Sequence, residues 1–373
     1  MRRAGRLYFD LEFVSDGRYV PELALIQVAW GEPDRPRVAA VDPLAVDPAP
    51  LLELVADPGV ETVLHSGQGD LSLLASRFGV EGRAVADTQI AAALLGLGDQ
   101  LGYAALVELL VGVALDKSHQ FTDWNRRPLA AEQLRYALND VRYLPALWRE
   151  LASRLDRRGR RPWLEEESAA LAESAVRRPE PEEAYRRVRG WERLKPRSLA
   201  ALRVAAAWRE REALATNTPP RWLIQDRPLL EAARRLPADE RGLGAIPGIG
   251  PGTVRRHGAA ILAALRRGAG EPPPADAHPP PPLSGRVKEC ADAVFAVIQE
   301  RCREAEVASR FVATRSDAEA LVRWWLERGA GQTSTAAPAK PELPLLASWR
   351  QEVASRAALA LLASSESKRI TPE

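Results

Sequence analysis

Short runs of apolar residues, interrupted by turn residues, characterise the first part of the chain. Residues 6–14 read RLYFDLEFV and residues 23–30 read LALIQVAW, with a glycine and a proline between them. Such a pattern predicts two strands of a β-hairpin. RVAAVDP at residues 37–43 and TVLHSG at residues 62–67 predict a third and a fourth strand.

Apolar residues at three- and four-residue intervals follow these strands and predict helices. We expect helices at residues 70–79, 88–97, 102–112 and 131–155. A chain that mixes short strands with helices indicates an α/β domain, which we assign to residues 1–165.

The strand pattern fades in the second half of the chain. Helical runs broken by proline and glycine predict a small helical bundle over residues 180–268. A proline-rich stretch, residues 269–285, is typical of an extended linker. Residues 286–373 then begin a second helical unit.

The net charge of +2 conceals an uneven distribution along the chain. Residues 1–165 contain 19 basic and 23 acidic residues, whereas residues 166–285 contain 20 and 15. An acidic domain joined to a basic one favours cations and a polyanion as partners, with ordinary surface variation as the alternative.

The composition also bears on the compartment. No run of 18 apolar residues occurs, so we expect no membrane span. The basic N-terminus lacks the apolar core of a signal peptide, and two cysteines in 373 residues fit a reducing cytoplasm. We therefore expect a cytoplasmic protein.

Four carboxylates and one tyrosine form the candidate catalytic set. Asp10 and Glu12 lie two residues apart on one strand and therefore share a face, where burying two like charges is costly. Asp70 opens a predicted helix, and Tyr136 precedes Asp140 by one helical turn. Each pattern alone is weak, and Asp70 alone would be assigned as a helix cap.

Divalent cations would make such a cluster of like charges stable. Mg²⁺ prefers oxygen ligands, and two ions roughly 3.5–4 Å apart stabilise the attacking and leaving oxygens of phosphodiester hydrolysis. Because the pKa of tyrosine is about 10, Tyr136 would position a water molecule and not act as a strong base.

Taken in this order, the residues resemble ribonuclease D, a member of the DEDD exonucleases with a tyrosine in the third motif. The three motifs are DLEF at residues 10–13, LHSGQGDLSLL at residues 64–74 and YALNDVRYL at residues 136–144. The stretch from residue 115 to residue 144 is the most distinctive part of the resemblance.

The resemblance implies a ribonuclease H-like α/β exonuclease domain. It further implies that Asp10, Glu12, Asp70 and Asp140 bind two divalent metal ions, Mg²⁺ or Mn²⁺, and that Tyr136 orients the nucleophilic water. The implied activity is a 3′–5′ exoribonuclease that trims tRNA precursors and other small structured RNAs to release 5′-mononucleotides, acting as a monomer.

The helical parts resemble the HRDC module, which is shared by helicases and ribonuclease D. Residues 199–237 carry this resemblance in the first bundle, and a more divergent copy is implied for residues 286–373. The first bundle contains three tryptophans, which are predicted to anchor its core and not to stack on bases: Trp191, Trp208 and Trp222.

Two features depart from the family pattern. Leu11 stands where the family usually has threonine, so its backbone amide can face the terminal nucleotide but a hydroxyl contact is lost. Only nine residues precede Asp10, fewer than in most members. We expect this short start to affect the packing of the first strand and not the ligands.

Further substrate contacts are hypotheses with a structural alternative for each residue. Phe13 could stack on a terminal base, Gln27 could bond near the nucleotide and His65 could approach the substrate, although core packing explains all three. Lys117 and Arg126 could contact phosphate, although isolated basic residues are usually only solvated.

Two further basic features admit the same pair of interpretations. Arg127, next to Arg126, could also contact phosphate. The stretch IPGIGPGTVRRHG at residues 246–258 resembles a helix-hairpin-helix turn, where backbone amides approach a phosphate. A tight turn between two helices of a bundle would need the same glycines.

Two other functions compete with the leading one. A DNA 3′–5′ exonuclease would use the same metal site, because recognition of the 2′-hydroxyl cannot be identified in the sequence. A nucleic-acid-binding scaffold with a dead site is the second alternative, and the intact set of four carboxylates and Tyr136 argues against it.

Overall fold

The computed structural model describes residues 1–115, 122–177, 180–274, 285–330 and 343–364. In these residues, five strands form one mixed sheet: β1 (Arg6–Val14), β2 (Glu22–Trp30), β3 (Arg37–Val41), β4 (Glu61–Leu64) and β5 (Val85–Asp87). Their order is β3-β2-β1-β4-β5. β1 is therefore the central strand, antiparallel to β2 and parallel to β4. The antiparallel pairing of β1 with β2 confirms the predicted hairpin.

Helices pack on both faces of this sheet and make up the remaining regular secondary structure of the described residues. The first part contains α1 (Ala49–Val55), α2 (Gln68–Leu73), α3 (Thr88–Leu94), α4 (Tyr103–Val111), α5 (Ala131–Arg142), α6 (Leu144–Arg157) and α7 (Arg161–Val176). The middle part contains α8 (Pro196–Ala215), α9 (Pro220–Leu223), α10 (Asp226–Arg235), α11 (Glu240–Gly244) and α12 (Pro251–Ala269). The last part contains α13 (Gly285–Glu304), α14 (Arg315–Ala330) and α15 (Arg356–Ala363).

Short helical turns complete the secondary structure. The 3₁₀ turns are Arg2–Ala4, Pro181–Arg187, Trp191–Arg193, Ser309–Phe311 and Pro344–Leu346. Wider π turns occur at Leu74–Phe78, which continues α2, and at Gln351–Ser355, which precedes α15. In the described residues, no helix has the length and apolarity needed to cross a membrane.

The alternation of β1 separates its apolar and acidic residues. Leu7, Phe9 and Leu11 are buried on one face of the sheet, against the core that contains α1 and α2. Burial of each such side chain stabilises the fold by about 1.5–3 kcal/mol. Asp10 and Glu12 therefore lie on the opposite face.

A β-bulge in β2 interrupts its pairing with β1 directly after Glu12. Glu12 pairs with Leu25 but Phe13 pairs with Leu23, so one residue of β2 is skipped. A bulge re-aims the side chains that follow it. Glu12 and Phe13, on either side of this irregularity, both line one cavity, together with Asp10 and Leu11.

Three features of the structure differ from what the sequence pattern predicts. The predicted helix at residues 131–155 is two helices, which separate at Tyr143, because Pro145 lacks an N–H donor and fits the first turn of a new helix. Helix α7 passes through residue 165, where we ended the first domain, and packs on α2 and β5. The short strand β5 had no prediction.

The last part of the chain shares a core with the first. Leu94 and Leu151 belong to the same buried cluster as Val294, Ile298 and Leu345. The unit predicted at residues 286–373 therefore packs directly on the α/β part, whereas α8–α12 form a bundle with a core of their own. The exact domain limits remain a prediction, and most of the predicted linker lies outside the described residues.

A buried ion pair fixes the contact between the last part and α7. The guanidinium of Arg350 donates to the carboxylate of Glu167, and both side chains are 10% exposed. Beside them, the Trp349 indole donates to Glu167 and stacks on Trp163 with 4.4 Å between ring centroids.

The loop of the β1–β2 hairpin contacts the middle bundle. The backbone N–H of Tyr19 donates to the carbonyl of Asn217, and its hydroxyl donates to Glu210 at 2.6 Å. One of the tryptophans predicted as a core anchor is also at this junction. Trp222 is 64% exposed, so that prediction is wrong, and its ring lies against Gly17 of the hairpin loop.

Candidate active site

The acidic face of β1 opens into a cavity of about 400 Å³. Asp10 and Glu12 enter it from the strand, and Tyr136 and Asp140 enter it from α5, which packs across β1 and β2. Its other lining residues are Leu11, Phe13, His65, Tyr103 and Leu144. The structure therefore brings together four of the five residues predicted to be catalytic.

Three carboxylates meet in this cavity at ligand distance. One oxygen from each of Asp10, Glu12 and Asp140 lies within 4.8 Å of the other two, which is the only such metal-ligand group in the described residues. The strand period places the first two together, and the turn of α5 brings the third above them. Three hard oxygen donors with this spacing suit Mg²⁺ or Mn²⁺.

The electrostatics of these carboxylates show the cost of their placement. Burial raises the pKa of Asp10 to about 7. Burial, followed by the charges of its acidic neighbours, raises the pKa of Glu12 to about 9. Burial and the Asp10 charge raise the pKa of Asp140 to about 8. A bound cation would favour the ionised forms, so the donor set fits a divalent metal.

Asp70 lies at the first turn of α2 and is 7% exposed. It does not cap this helix, because the capping position is Gly67 and no side chain bonds to the helix start. Burial, and then the charges of Asp10 and Asp87, raise the pKa of Asp70 well above its usual range. The Asp10 charge therefore acts on the Asp70 carboxyl. Asp70 is nevertheless not one of the three carboxylates within 4.8 Å of one another.

Asp87 shapes the turn that leads to Asp70. Its Oδ1 accepts the N–H groups of Ser66 and Gln89, and its Oδ2 accepts the N–H of Gly67 at 2.9 Å. One buried carboxylate thus caps α3 and holds the loop between β4 and α2.

An arginine supports the tyrosine of the cavity from behind. Arg127 donates two hydrogen bonds to the Asp42 carboxylate and one each to the backbone carbonyls of Trp124 and Ala24. The buried Trp124 ring in turn lies against Tyr136. Hydrogen bonds within the protein occupy the guanidinium of Arg127. The predicted phosphate contact therefore does not hold for this residue.

The predicted substrate residues divide into three groups. Leu11, Phe13 and His65 line the cavity. Gln27 pairs with Asp10 across the strands and is fully buried, and its amide makes no hydrogen bond to the described residues. Arg126 is exposed and does not line the cavity, whereas Lys117 lies outside the described residues.

His65 is held in one orientation at the edge of the cavity. Its Nδ1 is 2.9 Å from Thr88 Oγ1, which itself donates to the carbonyl of Leu64. The threonine oxygen must therefore accept from His65 Nδ1–H. Burial lowers the pKa of the His65 imidazole, so the neutral ring is favoured.

Sequence reasoning missed three residues of this region: Tyr103, Leu144 and Asp87. The Tyr103 hydroxyl donates to the carbonyl of Asn139 and thereby ties α4 to the turn of α5 before Asp140. A polar side chain at the start of an apolar helix, such as Tyr103, could have indicated a partner. An Asp after a short apolar run and before a helix, such as Asp87, is a cap signal.

Comparison with known proteins supports this description of the fold and the site. A family model described as 3′–5′ exonuclease matches residues 1–156, and the HRDC domain model matches residues 198–265. Ribonuclease D of Granulibacter bethesdensis is 36% identical over 97% of this chain and 88% of its own length. Ribonuclease D of Gluconacetobacter diazotrophicus is 37% identical with the same coverage.

A solved structure shows that the similarity extends over the whole fold. The crystal structure of Escherichia coli RNase D, described as an exoribonuclease involved in structured RNA processing, superposes with a TM-score of 0.81 and 29% identity. It covers 97% of this chain and 94% of the E. coli chain.

The fold and the acidic cavity define a 3′–5′ exonuclease that depends on divalent metal, joined to an HRDC bundle. The chain belongs to the ribonuclease D family. It is accordingly a 3′–5′ exoribonuclease, and the expectation drawn from the sequence motifs is confirmed at this level.

Proposed function

We propose that Asp10, Glu12, Asp70 and Asp140 together hold two divalent ions, Mg²⁺ or Mn²⁺. The observation that carries this proposal is the meeting of three carboxylates within 4.8 Å. Asp70 would complete the set, since it is buried and its pKa responds to the Asp10 charge. When bound, such ions neutralise the charge that develops on the attacking and leaving oxygens of a phosphodiester.

Tyr136 would orient the water that attacks the last phosphodiester. Burial, followed by the charge of Asp140, raises the pKa of the Tyr136 phenol above its ordinary value. The hydroxyl therefore stays protonated at neutral pH and is suited to hydrogen bonding and not to proton abstraction. This role is supported by the position of Tyr136 one helical turn from Asp140, in the lining of the same cavity.

The terminal nucleotide would occupy the cavity above β1. Leu11 would offer its backbone, Phe13 a ring face for the base, and His65 its second ring nitrogen for a hydroxyl. The buried amide of Gln27 would form a hydrogen bond near the nucleotide. Lys117 and Arg126 would contact phosphate groups farther from the cavity. These assignments follow from position in the cavity for the first three residues and from chemistry alone for the others.

The proposed substrates are tRNA precursors and other small structured RNAs with a free 3′ end. The related E. coli enzyme is described as involved in structured RNA processing. The basic middle segment favours a folded polyanion beyond the cleaved strand. We propose a monomer in the cytoplasm; the cytoplasmic location is supported by two cysteines that are both buried and free.

Matched RNA and DNA oligonucleotides with free or blocked 3′ ends test this function. We expect 5′-mononucleotides from RNA with a free 3′-hydroxyl, and no products from RNA with a blocked one. Equal or faster hydrolysis of DNA would favour the DNA exonuclease alternative. Cleavage of the blocked strand would contradict an exonuclease.

A further inference from the structure

A second cavity, of about 560 Å³, lies at the junction of the exonuclease domain and the HRDC bundle. We call it the junction groove. Its walls come from the hairpin loop, from α2, from the end of α7 and from α8. The volume is in the range of about 300–1,000 Å³ that is usual for ligand sites in proteins.

The junction groove begins where the active-site cavity ends. Phe13 lines both cavities, so the two share a wall. On the groove side, the backbone of Gly69 passes close to the Phe13 ring, because a Cβ atom added to Gly69 would lie 3.4 Å from it. Asp70 follows Gly69 directly, so the groove starts beside the proposed metal ligands.

The surface of the groove has the chemistry of a single-stranded nucleic-acid site. Phe13 and Tyr19 offer aromatic rings, on which bases of any identity can stack, and Val20, Pro21 and the 44%-exposed Leu214 extend this apolar surface. Hydroxyl groups of Ser72 and Ser174 edge this surface.

Two arginines supply positive charge at the rim. Arg177 pairs with Glu173 and Arg211 pairs with Glu182, and all four side chains are at least half exposed. Ion pairs so exposed are weak and exchange readily, so a phosphate can take the place of either carboxylate.

We infer that the junction groove binds the nucleotides immediately upstream of the scissile phosphate, with their bases on the apolar wall and their phosphates toward Arg177 and Arg211. This inference rests on the proposed function of the neighbouring cavity. It gives the HRDC bundle a direct part in holding the strand that is being shortened, because α8 supplies Arg211 and Leu214.

Two substrates separate the groove from the active site. The p-nitrophenyl ester of uridine 5′-monophosphate offers a terminal nucleotide and nothing upstream, whereas hexauridylate offers both. The quantity to measure is the ratio of kcat/KM for the hexamer to kcat/KM for the ester, with Mg²⁺ present and with the full chain.

Ser72→Trp fills the groove from α2. We expect the ratio to fall about tenfold or more, as for loss of one stacked base. The matched control is Ala293→Trp, which adds the same side chain on an exposed position of α13 and should leave the ratio unchanged. An unchanged ratio in a folded Ser72→Trp protein would overturn the inference.

The double change Arg177→Gln and Arg211→Gln covers the case in which Ser72→Trp does not fold, since both arginines are exposed. It should lower the ratio and flatten the salt dependence of the hexamer KM, because two phosphate contacts are lost. An unaltered salt slope would contradict the inference. Failure of the wild-type enzyme to cleave the ester and the hexamer alike would instead contradict the proposed function.

Discussion

The indole ring of Trp124 lies against the phenol ring of Tyr136, with 6.3 Å between ring centroids and an angle of 39° between the planes. Trp124 is 4% exposed, and its carbonyl accepts a hydrogen bond from Arg127 at 2.6 Å. The loop before α5 is thus built around a buried support for the tyrosine of the active site.

Weakening this support should impair catalysis more than substrate binding. Arg127→Lys removes the planar fork that joins Asp42 to the Trp124 carbonyl, and misplacement of Tyr136 should lower kcat about tenfold with KM within about twofold. Steady-state kinetics with hexauridylate would show this split. Arg135→Lys, on the exposed side of α5, is the control.

The same clamp can be tested from its other end. Asp42→Asn should reproduce the effect, and the double variant should be no worse than either single one, because both remove one interaction. Additive losses would show that Arg127 acts through some other contact.

Asp87→Asn should destabilise the loop that carries Asp70. The amide NH₂ would face the Gly67 N–H that the carboxylate now accepts, at a cost of about 1–3 kcal/mol in the free energy of unfolding. We expect kcat to fall as well. Urea unfolding and kinetics would measure both, with Asp47→Asn as control, since Asp47 makes one comparable bond at the surface.

The metal-free protein should lose stability as the pH rises. Asp10, Glu12 and Asp140 have folded-state pKa values of about 7, 9 and 8, all above those of the unfolded chain. Protonated carboxylates therefore stabilise the fold fully below about pH 4, and this contribution is lost as the pH rises from about 4, where the unfolded carboxyls ionise, to about 9.

Asp140→Asn removes one of these charges and should raise the stability in EDTA at pH 8 by on the order of 2 kcal/mol, with a clearly smaller gain at pH 5. Thermal unfolding at both pH values would measure it. With saturating Mg²⁺ at pH 8, the wild-type protein should instead be more stable than the Asp140→Asn variant. Equal stability of both proteins across the range would contradict the raised pKa values.

Arg350→Met should loosen the last part of the chain from α7. It leaves Glu167 buried without its cation, which costs about 3–5 kcal/mol. Burial already raises the pKa of Glu167 despite Arg350, so the loss should be larger at pH 8 than at pH 5. Arg315→Met, which breaks the more exposed pair with Asp292, should cost much less by the same denaturation assay.

The sequence predicted the acidic site because its residues follow two short periods. The strand period joins Asp10 to Glu12, and the helical turn joins Tyr136 to Asp140. It could not predict the bulge after Glu12, which depends on how β2 pairs with β1. Phe13, which lines two cavities, is the first residue of β1 after that irregularity.

Contacts between residues that are far apart in the chain could not be predicted from the sequence either. The residue type of Trp222 predicts a core position, yet it lies exposed beside Gly17, which is more than 200 positions earlier in the chain. The final helices similarly gave no signal that they would share a core with α3 and α6. Apolar periodicity shows that a helix face is buried and not which partner covers it.

We propose above that RNA hydrolysis depends on the carboxylates in the cavity above β1. The most direct test of this proposal is single-turnover cleavage of a 5′-labelled RNA by Asp140→Asn with saturating Mg²⁺, with RNA binding measured on the same preparation. We expect a loss of about 10³-fold in the cleavage rate, with binding retained within a few-fold. Cleavage at the wild-type rate would contradict it.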